Sequence, residues 1–162
     1  MKTIKINILR RDADEELARI TSYAGIKSPG SEGLKDLDRI ATVDEDSALL
    51  NRYWQAAANT LADRLKDFIT GLAADNESVG LTLEVSGAYD DALTPSLEGD
   101  LRGYAAAYMT RAWFAITLPE RAAEWDAECE RLLRDASRKL YHRKRPVRIT
   151  HADPGETATT TD

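Results

Sequence analysis

Few side chains in this sequence are of the types that carry out chemistry. Among its 162 residues, Cys129 is the single cysteine, and the only histidines are His142 and His151. Metal sites and nucleophilic catalysis need such groups at set spacings, and the sequence contains no CxxC, HxxxH, G-x-S-x-G or phosphate-binding glycine loop. Cys129 falls on the apolar side of a predicted helix, where a thiol usually packs rather than reacts. We therefore predict no catalytic residue, no metal site, no cofactor and no enzymatic activity.

Carboxylates are plentiful, and five of them crowd the short segment DLDRIATVDEDS. A calcium-binding loop would carry a glycine at its sixth position and a glutamate at its twelfth. That glycine is absent here. Helix capping and solvation are the better interpretation of these acids, which are Asp36, Asp38, Asp44, Glu45 and Asp46.

A basic cluster near the C-terminus is the most unusual local feature, because the whole chain carries a net charge of −6. Cations favour the end of a helix, where the dipole is negative, but this explains two or three of them rather than all six. The cluster could instead dock on an acidic protein surface, including the acids at 12–16 or 36–46 of a second copy. It could also touch phosphates without sequence specificity. These three interpretations stay open for Arg138, Lys139, Arg143, Lys144, Arg145 and Arg148.

The aromatic residues mostly recur at helical spacing, which is typical of core packing. Trp113 and Phe114 are the exception, because neighbours on a helix point about 100° apart and cannot both enter one narrow contact. We expect one of the two to face a partner, and Trp113 joins the six basic residues as a candidate for partner binding.

Hydropathy patterns then predict the elements that position these groups. Alternating apolar residues predict strands at 3–9 and 80–86, paired with each other. A short helix is predicted from Asp12 or Asp14 to Gly25, and apolar residues three and four apart predict three long helices. These long helices span 44–71, about 96–117, and Pro119 to Pro146. The predicted fold class is α+β and predominantly α-helical, with three long helices, one short helix and a small antiparallel sheet.

The chain length fits a single globular domain, which we place at residues 1–149. Residues 147–149 could form a short strand. Residues 150–162 offer almost nothing to bury and are predicted to be a disordered tail. No apolar run is long enough for a membrane span, and the N-terminus lacks the apolar region of a signal peptide, so we expect a cytoplasmic protein without membrane contact.

From residue 44 to 145 the order of motifs resembles head–tail connector (head-completion, adaptor) proteins of tailed phages and prophages. The first matching helix has an acidic D-x-x-L-L start, an alanine-rich centre and a closing aromatic. The second begins at P-x-L-x-x-x-L, and the last holds a Leu-Leu pair and an arginine. The matching residues are Asp46, Leu49, Leu50, Ala56, Ala57, Ala58 and Phe68, then Pro95, Leu97, Leu101, Tyr108, Trp113, Leu132, Leu133 and Arg143.

This resemblance implies an architectural function. Such proteins are ring subunits that self-associate beneath the portal and receive the tail, with a flexible C-terminal segment that reaches the portal. The protein would be cytoplasmic during assembly and then part of the virion. The alternative is a cytoplasmic helical regulator or binding module whose basic C-terminal end contacts nucleic acid.

Overall fold

The computed structural model describes residues 1–27, 42 and 46–146. It shows an α+β protein dominated by helices, which confirms the predicted fold class. In chain order the elements are β1 (Lys2–Leu9), α1 (Arg10–Lys27), α2 (Ser47–Arg64), β2 (Ile69–Ala74), β3 (Ser78–Val85), a 3₁₀ turn (Asp91–Leu93), α3 (Thr94–Thr117) and α4 (Pro119–Tyr141).

The three strands form one antiparallel sheet in the order β1-β3-β2. β1 pairs with β3, as predicted, in a register that sets Ile6 opposite Leu81. Because side chains of a strand alternate between its two faces, one face of the sheet is apolar and buried. That face carries Ile4, Ile6 and Ile8 from β1 and Val79, Leu81, Leu83 and Val85 from β3.

Helix α3 is the centre of the helical layer. It packs against α1, α2, α4 and β1. Three consecutive alanines, at 105–107, are buried in its middle, where their small size lets neighbouring helices approach closely. The adjoining helix α4 buries the predicted apolar stripe, with Cys129, Leu132, Leu133, Ala136 and Leu140 all facing the core.

The predicted helix at 44–71 is too long. Helix α2 ends at Arg64, and Ile69 to Ala74 form β2, a strand that the hydropathy pattern did not predict. The spacing of Leu65, Phe68 and Leu72 continues the helical pattern, but Ile69, Thr70 and Gly71 favour strand or turn over helix. Hydrogen bonding of this segment to β3 then decides the outcome.

Other boundaries differ by a few residues. Helix α1 begins at Arg10, directly after β1, and runs through Gly25 to Lys27, so it is longer than predicted. Helix α4 ends at Tyr141, before Pro146, and His142 continues in extended conformation. Ile116, in the last turn of the predicted helix at 96–117, is 61% exposed.

No helix in the described ranges is both long enough and apolar enough to cross a membrane. Several predictions fall outside the described residues: the acids at 36, 38, 44 and 45, Arg148, the strand at 147–149 and the tail at 150–162. Asp46 is described, and it is the N-cap residue of α2.

Candidate interaction surfaces

The last turn of α4 holds the first two residues of the predicted basic cluster. The Lys139 ammonium group forms an ion pair with the Asp100 carboxylate on α3 and donates a hydrogen bond to the Ser96 carbonyl at 3.3 Å. The side chains of this pair are only 22% and 16% exposed. Lys139 therefore fastens α4 to α3, and its charge is used inside the fold.

Beyond α4, residues 142–146 run as an extended basic segment whose middle is anchored to the loop after β3. The Lys144 backbone N–H donates to the Ala88 carbonyl at 2.8 Å, and its Nζ lies 3.2 Å from Asp90 Oδ1. The hydrogen bond from Lys144 is the largest cause of a lowered pKa for the Asp90 carboxyl, followed by the hydrogen bond from the Ala92 backbone. At the root of the segment, the Tyr141 ring meets Phe68 edge-on, with centroids 4.9 Å apart.

Two arginines of the basic segment have no ion-pair partner within the described residues. Arg143 and Arg145 are exposed, and neither has an ion pair within the described part of the chain. Arg138 makes only a long contact, 3.9 Å, to Asp135, and its side chain is 79% exposed. Within the described residues, the structure thus divides the predicted cluster into cations paired within the chain, the part-buried Lys139 and the exposed Lys144, and exposed cations with a distant partner or none, Arg138, Arg143 and Arg145.

The prediction that Trp113 or its neighbour faces a partner is wrong for this chain. Trp113 is 4% exposed and Phe114 is fully buried. Both fit inside because α3 is surrounded by other elements, so side chains 100° apart can each enter a different part of the core. The Phe114 ring lies 6.4 Å from that of Trp125 on α4.

A second surface is a groove of about 600 Å³ above α3 and between α1 and α4. The sequence patterns did not predict it. Its floor is made of small residues of α3, among them Gly99, Gly103 and Ala106, and Trp125 and Leu132 line the α4 side. Small residues three and four apart on a helix are the sequence signal for such a floor. The signal is not interpretable alone, because it does not show which helices stand on either side.

The charges at the rim of this groove are already balanced within the chain. Asp12 lies 3.4 Å from Arg11 and 3.5 Å from Arg102. Glu128 accepts a hydrogen bond from Arg131 at 2.8 Å, and Glu16 pairs with Arg19. The acids at 12–16, but not Glu128, were expected to attract the basic segment of a second copy, and that contact stays a prediction.

The single thiol lies in the core. Cys129 is 5% exposed, and burial raises its pKa to about 11. A thiol with this pKa is protonated at neutral pH and is a poor nucleophile. Within the described residues, no group of three or more His, Cys, Asp or Glu side chains is arranged to hold a metal ion.

Comparison with protein-family models, with curated proteins and with solved structures finds no match to this chain. A functional hypothesis therefore depends on the surfaces described above and on the motif resemblance.

The anchor of the basic segment gives a direct prediction. In Asp90→Asn, the charge that holds Lys144 is lost, and we expect faster trypsin cleavage within 143–145 with little change in global stability. Asp91→Asn is the matched control, because Asp91 pairs with Lys2 and not with Lys144. Equal cleavage rates for the two variants would contradict the anchor.

The same anchor should depend on pH in a defined direction. The pKa of Asp90 is lowered below its usual 3.8, so the contact contributes fully above that value and is lost as pH falls through the lowered pKa. The Lys144 backbone amide, which donates to the Ala88 carbonyl, should therefore exchange with solvent deuterium faster at pH 2 than at pH 4, relative to a peptide of the same sequence. In Asp90→Asn this difference should disappear.

Proposed function

We propose that this chain is a structural virion-assembly protein, a subunit of a head–tail connector ring that docks on the portal. The observation that carries the proposal is the basic segment, which is anchored to the domain at Tyr141 and Lys144 and leaves Arg143 and Arg145 exposed. A segment held in this way is suited to reach a neighbouring protein while the helical domain stays rigid. The protein would act in the cytoplasm during assembly and remain in the virion.

The positions of the resembling motifs support the proposal. Pro95, Leu97 and Leu101 lie in the first two turns of α3, and Leu132 and Leu133 are buried in α4 against it. This part of the resemblance thus falls on one packed helical pair, while the first motif lies along α2, with Phe68 beyond its end. The exposed flanks of the helices carry ion pairs between elements, such as Arg111 with Asp126 at 2.7 Å.

Charged flanks of this kind suit a subunit that meets its neighbours side by side. Contacts between unlike surfaces of identical subunits generate rings when the rotation closes. Charge complementarity at such contacts mainly sets register and association rate. We therefore assign Arg143 and Arg145 to contact with an acidic surface of a neighbouring subunit or of the portal.

The test is native mass measured from about micromolar to near-millimolar protein, for the wild type and for Arg143→Glu with Arg145→Glu. We expect the wild type to form species of many copies and the charge-reversed variant to lose them. Arg52→Glu with Lys66→Glu is the matched control, because it changes the net charge equally at two exposed cations that make no ion pair in the described structure. Equal loss in both variants would indicate a general charge effect rather than docking.

A nucleic-acid contact by the same segment is the second candidate, since Arg143 and Arg145 are free to meet phosphates. The logarithm of DNA affinity falls with the logarithm of salt by about 0.9 per phosphate neutralised. Arg143 and Arg145 alone should give a slope of about −2, whereas six cations acting together would give about −5. A strong gel shift with a 30-base-pair duplex, without self-association at any concentration, would overturn the connector role in favour of the regulator.

A further inference from the structure

The outer edge of β2 lacks a partner strand in the part of the chain that the structure describes. β2 is an edge strand, hydrogen-bonded to β3 on one side only. A register shift lies between Ile69 and Gly71, and regular pairing with β3 continues to Ala74. Unpaired N–H and C=O groups along such an edge form a template for another extended strand.

The side chains of β2 do not oppose pairing with another strand. The strand reads ITGLAA and contains neither a charged residue nor a proline. The opposite edge of the sheet differs, because β1 carries Lys2 and Lys5. Lysines on an edge strand oppose pairing with another sheet. The two edges of one small sheet are therefore unequal, and β2 is the edge that can accept a strand.

At Leu72 the helical layer no longer covers the apolar face of the sheet. It lies opposite Leu81 and so belongs to the buried face, yet it is 45% exposed while Leu81 is 1% exposed. Ala74, on the same face opposite Val79, is exposed too. The helical layer thus leaves an apolar margin along β2, directly beside the unpaired edge.

We propose that β2 pairs antiparallel with β2 of a second copy of this chain, with Leu72 beside Leu72 of the other copy. An extended edge requires an extended partner, and an uncharged edge favours an uncharged one. Among the described strands, β3 is paired on both sides and β1 carries lysines, which leaves β2 itself. Residues directly opposite in an antiparallel pair share a face, so this register brings the two apolar margins together.

The contact should be weak and should close at two copies. It involves about six residues on each side, whereas a standard stable interface uses about 20–30. A two-fold contact between identical surfaces does not propagate. It is therefore distinct from the unlike contacts of a ring, and the inference does not depend on the connector role.

The first test is sedimentation velocity from about ten micromolar to near-millimolar. In the Arg143→Glu with Arg145→Glu background, which should lack the ring species, we expect a concentration-dependent dimer and a dissociation constant at least about tenfold higher when Leu72→Lys is added, because two like charges would lie opposite each other. Ile116→Lys is the matched control, since it also replaces an exposed aliphatic side chain, 61% exposed on α3, and lies outside β2. Protein of this background that stays monomeric, or equal dimerisation by both variants, would overturn the pairing.

A second measurement, disulfide crosslinking, traps the contact covalently and so detects a weak dimer. Directly opposite residues in an antiparallel pair have Cα atoms about 4.5–5.5 Å apart, which is within disulfide range. Leu72→Cys should crosslink to a dimer with oxidised glutathione, and Ile116→Cys should not, while the buried Cys129 stays reduced in both. Equal crosslinking would contradict the proposal. Rings that persist in Leu72→Lys would leave the connector role intact and show that β2 is not their contact.

Discussion

The Trp113→Ala variant is expected to unfold with a free energy about 3–5 kcal/mol below that of the wild type. Trp113 is 4% exposed, and it belongs to the helix that contacts every other layer of the domain. Removing its indole would leave a cavity between packed elements that cannot all move to fill it. Urea unfolding followed by circular dichroism measures the difference directly.

The control for this prediction is Ile116→Ala on the same helix. Ile116 is 61% exposed, so its truncation should change the unfolding free energy by no more than about 0.5 kcal/mol. A partner-binding role for Trp113 predicts the reverse pattern: normal unfolding of the isolated chain and a loss of self-association. Normal stability of Trp113→Ala would therefore restore the prediction that the structure contradicts.

Much of the fold is predictable from the sequence, because two of its patterns report directly on burial. Alternation along β1 and β3 predicted both strands, since each strand has one face on the core, and the predicted pairing of the two is confirmed. The apolar stripe of α4 predicted its buried residues, because α4 packs through one side only. In both cases a single apolar face meets a single neighbouring layer.

The wrong predictions concern elements whose apolar residues pack against several neighbouring elements or are left partly exposed. Trp113 and Phe114 point in different directions and are both buried because α3 is enclosed, and enclosure is a property of the whole fold. The prediction of a helix through residue 71 is wrong for the opposite reason. Leu65, Phe68 and Leu72 fit a helical spacing, but Leu72 is 45% exposed. Only pairing with β3, which lies later in the chain, makes this segment a strand.

The basic cluster shows a similar limit. Sequence identifies the cations but not the acids that they meet. Lys139 meets Asp100 on another helix, and Lys144 meets Asp90 in the loop after β3. Which charges remain for a partner is therefore decided by tertiary contacts. The number of free cations, rather than the number in the segment, should set the salt dependence of any binding.

Trp54 is the site of the second large effect, because it connects α2 to the turn between β2 and β3. It is 1% exposed, and its indole N–H donates a hydrogen bond to the Asp75 carbonyl at 2.8 Å. Trp54→Ala should lower the unfolding free energy by about 3–5 kcal/mol. Trp54→Phe keeps an aromatic ring but loses the hydrogen bond, and we expect a loss of about 1 kcal/mol or slightly more.

The consequence reaches beyond stability, because the turn held by Trp54 also positions β2. In Trp54→Phe, amide exchange should accelerate from 71 to 74, and the proposed β2–β2 dimer should weaken while the helices keep their protection. Gln55→Ala is the control, since Gln55 bonds Asn76 of the same turn at 3.1 Å but does so in solvent. Its unfolding free energy should stay within about 0.5 kcal/mol of wild type. Uniform acceleration of exchange across all elements in Trp54→Phe would mean that the indole supports the core as a whole and does not act through the turn.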